Sequence, residues 1–116
     1  MALGDLEREV MTQLWDAGEP LTVRQVQDRL SRDRDLAYTT VMTVLDRLAK
    51  KGVVNQQRAD RAYRYAPAQT REQMTAGLML DALNASPDQD AALAYFVGQL
   101  SPEALAAALE AAKQTG

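Results

Sequence analysis

Between Leu36 and Lys51 the apolar positions recur with helical spacing. Val41, Val44, Leu45 and Leu48 fall at i, i+3, i+4 and i+7, a stripe suited to a core. The other positions differ from those of an ordinary surface helix. In place of mixed Glu and Lys they carry Thr39, Thr40, Met42 and Thr43, then Arg47 and Lys50. Short hydroxyls allow close approach and can bond to bases or phosphates, while cations neutralise phosphates. The pattern predicts a DNA-recognition helix, ended by Gly52 at the left-handed C′ position. Asp35 is the better N-cap candidate, because Ala37 offers no side-chain acceptor.

Two helices are predicted before it. Leu6, Val10 and Leu14, widened by Met11 and Trp15, mark the first, from Asp5 to Asp16. Trp15 reads as a core anchor. Gly18 and Pro20 then turn the chain. Thr22 with Gln25 fits a capping box and Leu21 with Val26 a hydrophobic staple, so the second helix starts sharply. Val23, Val26 and Leu30 form its inner face. Arg24, in its first turn, is placed for a backbone phosphate or for plain solvation. The link at 31–37 is polar and longer than a minimal helix-turn-helix requires.

Past Gly52 the period changes from 3.6 to two. Residues 53–58 and 61–66 predict two strands, with Tyr63 and Tyr65 alternating with Ala62, Arg64 and Ala66. Ala59-Asp60 lacks the Asn-Gly or Asp-Gly signal of a tight turn, which predicts a longer or open loop. Arg58 and Arg61 flank the tip. A basic hairpin directly after a recognition-type helix reads as the wing of a winged helix.

After Pro67 the pattern returns to helices, at about 71–84, 88–99 and 102–113. Thr70 with Gln73 and Ser86 with Gln89 match capping boxes, and Ser86-Pro87 and Ser101-Pro102 place a hydroxyl before Pro at N1. The first of these helices has two apolar faces, one with Met74 and Leu78, the other with Leu80 and Leu83. Leu93, Phe96, Val97 and Leu100 line the second; Leu105 and Leu109 line the third. These make a thin core. Either a partner subunit completes it, or the helices fold back on the N-terminal half. The expected architecture is mainly α with a small β wing: a winged helix-turn-helix DNA-binding domain at 1–68 and a helical dimerisation region at 69–116.

Composition narrows the function further. Neither Cys nor His occurs among the 116 residues, and there is no Gly-rich phosphate loop. That removes disulfides, thiolate metal sites and the commonest general base. No enzyme activity, metal or cofactor is expected. No apolar run nears the roughly 18 residues of a membrane span, and MALGDLEREV is too acidic for a signal peptide. The expected setting is cytoplasmic and nucleoid-associated, without membrane insertion. The net charge of −3 is uneven: residues 47–64 hold six cations and a single acid, Asp60. A local basic face of this kind suits DNA whatever the total charge.

The succession GDLEREVMTQLW, TVRQVQDRL, YTTVMTVLDRLAKKGVV and RAYRYAP resembles the penicillinase-repressor family, BlaI/MecI, over nearly the whole chain. The resemblance implies a winged-helix repressor that is a homodimer through its C-terminal helices. It would bind double-stranded dyad operators of TACA/TGTA type upstream of β-lactamase or related regulatory genes. Carried over by position, Thr39, Thr40, Met42 and Thr43 reach the major groove, and Tyr38 beside them belongs to the DNA-binding set. Arg47, Lys50, Lys51, Arg58 and Arg61 meet the backbone, and Arg24 joins the DNA-binding set on its placement alone. The dimer set is Leu78, Leu83, Leu93, Phe96, Val97, Leu100, Leu105 and Leu109. In the family a membrane-bound β-lactam sensor protease triggers cleavage between Asn and Phe in this region, and the aligned pair here is Tyr95-Phe96. A related branch senses copper through C-terminal cysteines, which this chain lacks. Two other uses of the fold compete with this reading: a winged-helix protein-interaction module and a ligand-gated winged-helix regulator.

Overall fold

The computed structural model describes residues 3–32 and 35–115. Six helices and three strands follow in the order α1 (Asp5–Ala17), β1 (Leu21–Thr22), α2 (Val23–Leu30), α3 (Tyr38–Lys50), β2 (Val54–Ala59), β3 (Ala62–Pro67), α4 (Arg71–Asn84), α5 (Gln89–Gly98) and α6 (Pro102–Thr115). The chain divides into two compact units, Met1–Ala76 and Gly77–Gly116, so α4 passes from one into the other.

In the first unit, α1, α2 and α3 pack on a three-stranded antiparallel sheet of order β1-β3-β2. Each apolar stripe read from the chain points inward. Val10, Met11 and Leu14 of α1, Val23, Val26 and Leu30 of α2, and Val41, Val44, Leu45 and Leu48 of α3 are buried with Leu21, Val53, Val54 and Tyr65. No polar or charged residue is buried among the described residues. The core therefore incurs no cost for unpaired polar groups. The arrangement is a winged helix.

Local chemistry sets the boundaries. The Gly4 N–H donates to Glu7 Oε1 at 3.0 Å. Gly18 (φ 69°) and Gly52 (φ 77°) end α1 and α3 in the left-handed region, where a Cβ is strained. Thr22 and Gln25 exchange hydrogen bonds at 2.9 and 3.2 Å, the capping box expected for α2. Trp15 is partly buried against the core, and its Nε1–H donates to the Gln69 carbonyl at 2.9 Å. The Arg71 guanidinium lies 5.3 Å from the Trp15 ring centre and bridges to Asp16 at 2.9 Å.

Four details depart from the expectations. First, β1 was not expected. It is two residues long, pairing Leu21 with Tyr65 and Thr22 with Arg64, and too short to show a period. Second, α3 starts at Tyr38 with Ala37 as its N-cap and no side-chain cap bond, so Asp35 does not cap it. Asp33 and Arg34 of the preceding link lie outside the described residues. Third, the hairpin loop is tight rather than open. Ala59 pairs with Ala62, and Asp60 takes a positive φ of 56°. Asp tolerates that region better than most residues, and here it serves without a following Gly.

The fourth departure is in the second unit. Ser86 does not cap α5. Its hydroxyl donates to the Asp88 carbonyl at 3.2 Å, and Asp88 caps instead, accepting from the Ala91 N–H at 3.0 Å. The Asp88 carboxylate is the stronger acceptor and stands immediately before Gln89. The other two caps form as expected: Thr70 with Gln73 for α4, and Ser101 accepting from the Ala104 N–H for α6. Among the described residues nothing after Tyr65 is buried.

Candidate nucleic-acid interface

The buried stripe of α3 fixes which of its side chains face outward. With Val41, Leu45 and Leu48 inaccessible to solvent, Tyr38, Thr39, Thr40, Met42, Thr43, Arg47 and Lys50 are all exposed. Tyr38 and Met42 each keep 42% of their surface. An apolar thioether and a phenol ring left in water on a helix otherwise set with hydroxyls form a surface able to meet thymine methyls and base edges. The Thr43 hydroxyl donates to the Thr39 carbonyl one turn back, at 2.8 Å. Its proton is thus engaged within the helix, leaving its lone pair and its methyl for an outside contact.

The cations fall into distinct groups. Arg24 at the start of α2 lies over the Tyr38 ring, 5.9 Å from its centre. Arg58 on β2 lies 6.0 Å from the centre of the Tyr63 ring on β3. Arg61 is exposed in the hairpin turn. Lys50 pairs with Asp46 of its own helix at 3.1 Å, both largely in solvent.

Lys51 is held differently. Its Nζ is 2.8 Å from Glu7 Oε2, in a pair whose Glu7 side chain is only 15% exposed. The Lys51 hydrogen bond holds the Glu7 carboxyl below its ordinary value, helped by the Gly4 N–H and by the charges of Lys51 and Arg47 against the opposing effect of burial. Lys51 thus ties the end of α3 to the start of α1, and a phosphate would have to compete with Glu7 for it.

Sequence reasoning did not single out Tyr63 as a site residue, although it lies beside this surface. Period two puts Tyr63 and Tyr65 on one face of β3, yet Tyr65 is 3% exposed and Tyr63 47%. Alternation gives the face but not the distance from the core, and Tyr63 lies nearer the hairpin tip. Between the hairpin and the starts of α2 and α3 runs a cleft of about 430 Å³, to which Arg24, Tyr38, Met42, Arg61 and Tyr63 contribute. The expected set Arg24, Tyr38, Met42 and Arg61 is therefore brought together.

The dimer set and the cleavage pair fall in the second unit or at its edge. Leu78, Leu93, Phe96 and Leu109 keep 40–57% of their surface, and Tyr95 keeps 77%. Leu83, Val97, Leu100 and Leu105 are half-buried. Among the described residues no group of three or more Asp or Glu is placed to hold a metal ion. No single helix there is long and apolar enough to cross a membrane.

Comparison with known proteins agrees with this geometry. A profile described as penicillinase repressor matches residues 3–113. The chain is 58% identical over 104 residues to the transcriptional regulator BlaI of Mycobacterium tuberculosis strain H37Rv, covering 87% of this chain and 75% of the relative. Among solved structures, it is similar to the DNA-binding domain of the repressor BlaI, with a TM-score of 0.54 and 30% identity over 60% of this chain and 83% of that one. It is also similar to the monomeric form of Bacillus licheniformis BlaI in complex with the blaP half-operator, with a TM-score of 0.53 and 29% identity over 62% and 87% of the two chains.

Proposed function

This chain belongs to the penicillinase repressor family, and from that premise we propose that it acts as a homodimer on dyad operators upstream of β-lactamase-type or related regulatory genes. At the coarser level it is a BlaI-like transcriptional repressor built on a winged-helix DNA-binding fold, in a family of regulators rather than enzymes.

The observation that carries the proposal is the outward face of α3. It presents Thr39, Thr40, Met42 and Thr43 while its inner stripe is fully packed. In this reading those four side chains enter the major groove and make the sequence-dependent contacts. Arg24, Arg47, Lys50, Arg58 and Arg61 meet phosphates, fixing register and contributing affinity without sequence preference. The relative solved on a half-operator is consistent with one winged helix per half-site.

One such unit makes few contacts. Two units tethered through Gly77–Gly116 gain about 10²- to 10⁴-fold, because the second contact becomes intramolecular. The exposed leucines and Phe96 of that unit are the surface such a tether would bury. Release follows from the same linkage. Cleavage at Tyr95-Phe96, triggered by a membrane-bound β-lactam sensor protease, would sever α5 and return the protein to weak half-site binding.

The test is a mobility-shift titration at graded salt. It compares a duplex carrying a TACA/TGTA dyad, a single half-site and a scrambled duplex. The proposal expects the dyad to be bound far more tightly than the half-site, and both to lose affinity as salt rises. Equal affinity for dyad and half-site would end the dimer reading. Absence of salt-dependent binding to every duplex would favour a protein-interaction module.

A further inference from the structure

We propose that Tyr38 and Tyr63 are positioning residues for DNA binding, each holding an arginine beside a cleft that receives one sugar–phosphate segment of the duplex. This rests on the reading of α3 and the hairpin as a DNA interface, and it adds a place and a mechanism for the backbone contacts.

The cleft, about 430 Å³, opens between the hairpin and the starts of α2 and α3. Val23 and Tyr65, both buried, line it together with the exposed Tyr38, Met42 and Tyr63. Two cations, Arg24 and Arg61, line it as well, and among the described residues no Asp or Glu does. Aromatic and thioether surface suits a deoxyribose, and guanidinium groups suit the phosphates on either side of it. The charge pattern favours a polyanion, and continuity with the threonine face of α3 makes that polyanion the duplex backbone.

The tyrosines add more than walls. Two Arg-on-Tyr stacks flank this region, Arg24 on Tyr38 at 5.9 Å and Arg58 on Tyr63 at 6.0 Å. A free arginine has many rotamers and loses them on meeting a phosphate. A guanidinium already resting on a ring has given up part of that freedom before binding. The Tyr63 ring can therefore strengthen DNA binding without itself carrying charge.

The experiment uses the full chain, titrated at graded salt against a duplex carrying a TACA/TGTA dyad and a scrambled duplex of equal length. Tyr63→Leu should weaken binding to both by about two- to five-fold per protomer, the size of an exposed cation–π contact. Tyr63→Phe keeps the ring and should bind as the parent does. In an Arg58→Ala background Tyr63→Leu should cost much less than in the parent, because Leu keeps an apolar wall to the cleft and no Arg58 remains to be held. With one Arg58 per protomer, Arg58→Ala should lower the log–log salt slope by about 1.8 on the dyad-bound dimer, whereas Tyr63→Leu should leave it unchanged. A collapsed hairpin would forfeit Arg61 as well and lower the slope about twice as far, so the slope separates positioning from damage. Tyr38 with Arg24 forms a second, independent pair for the same cycle.

Equal loss in Tyr63→Phe and Tyr63→Leu, or a Tyr63→Leu cost unaffected by removing Arg58, would overturn the proposal while leaving the interface reading intact. Failure of the parent chain to bind either duplex would instead bring down the interface reading itself.

Discussion

The two units of this chain put their apolar residues to opposite use. Residues up to Ala76 contain every buried side chain among the described residues, fourteen in all, each apolar or Tyr65. Residues from Gly77 onward are about twice as rich in Leu and Ala, 18 of 40 against 17 of 76, and contain none. Leu80, Leu93, Phe96 and Leu109 keep roughly half of their surface in water. A higher share of Leu and Ala therefore does not by itself bury side chains: small alanines and a single Val fill little volume, and the geometry offers the larger residues no partner. In the first unit three helices of one period meet a sheet of another, and each stripe finds a partner. In the second, three short helices with apolar residues on more than one face cannot cover one another, and so short a segment encloses little volume. A face of this kind needs a further surface, which is why a second copy of the chain is proposed to supply it.

Breaking the proposed tether should have the largest effect. Phe96→Asp places a charge among the exposed apolar residues of α5, where an interface would have to desolvate it. Affinity for a dyad operator should fall by about 10²- to 10⁴-fold, with half-site affinity unchanged. Sedimentation velocity on the same samples should show the parent as a dimer and the variant as a monomer. A parent that sediments as a monomer at high concentration would remove the reason for the second unit's exposed face.

Next in size is the core of the first unit. Leu45 is fully buried at the centre of α3. Leu45→Ala should cost about 2–5 kcal/mol in denaturant unfolding. Leu109→Ala, at 57% exposed, sharpens the contrast. In an isolated chain it should change stability by less than about 0.5 kcal/mol. In a dimer it should cost several times more, and the cost should fall back toward the isolated-chain value as the protein is diluted below its dissociation constant. The two substitutions together measure how far the units differ in what buries them.

Much of the first unit was visible in the chain because its signals are local and mutually consistent. The α3 stripe, the Thr22–Gln25 box and the two left-handed glycines each required nothing beyond a few neighbouring residues. What was missed depends on distant pairing. β1 exists because Leu21 meets Tyr65 more than forty positions later, and two residues cannot announce a period. The exposure of Tyr63 depends on how far the hairpin reaches beyond the core. The tie of Lys51 to Glu7 across 44 positions likewise appears only in three dimensions. In the second unit, Ser86 and Asp88 both offered a cap within three residues, and motif matching favoured the box over the stronger acceptor.

Cap substitutions probe the same contrast on a smaller scale. Thr22→Ala removes the acceptor for the Gln25 N–H and should lower stability by about 1 kcal/mol. Ser101→Ala removes the equivalent acceptor for the Ala104 N–H at the start of α6. If the second unit melts separately, Thr22→Ala should lower the first transition alone and Ser101→Ala the second alone. A single transition lowered equally by both would mean that the units unfold as one. Calorimetry distinguishes the two outcomes.

The smallest effect expected is an acid sensitivity confined to the first unit. Glu7 has a folded-state pKa below its unfolded value, chiefly through the Lys51 hydrogen bond. A carboxyl of that kind contributes stability that is fully present above its unfolded pKa and is lost as pH falls through the folded one. Lys51 is partly exposed, so screening limits the contribution to less than about 1 kcal/mol. Unfolding of the parent and of Glu7→Gln, followed from neutral pH into the acid range, should give a gap that is constant at neutral pH and closes below the usual carboxylate range. Lys51→Met should narrow the same gap at neutral pH, because it removes the main cause of the shift. A gap that persists unchanged at the acid end would assign the Glu7 contribution to its packing beneath α3 rather than to its charge.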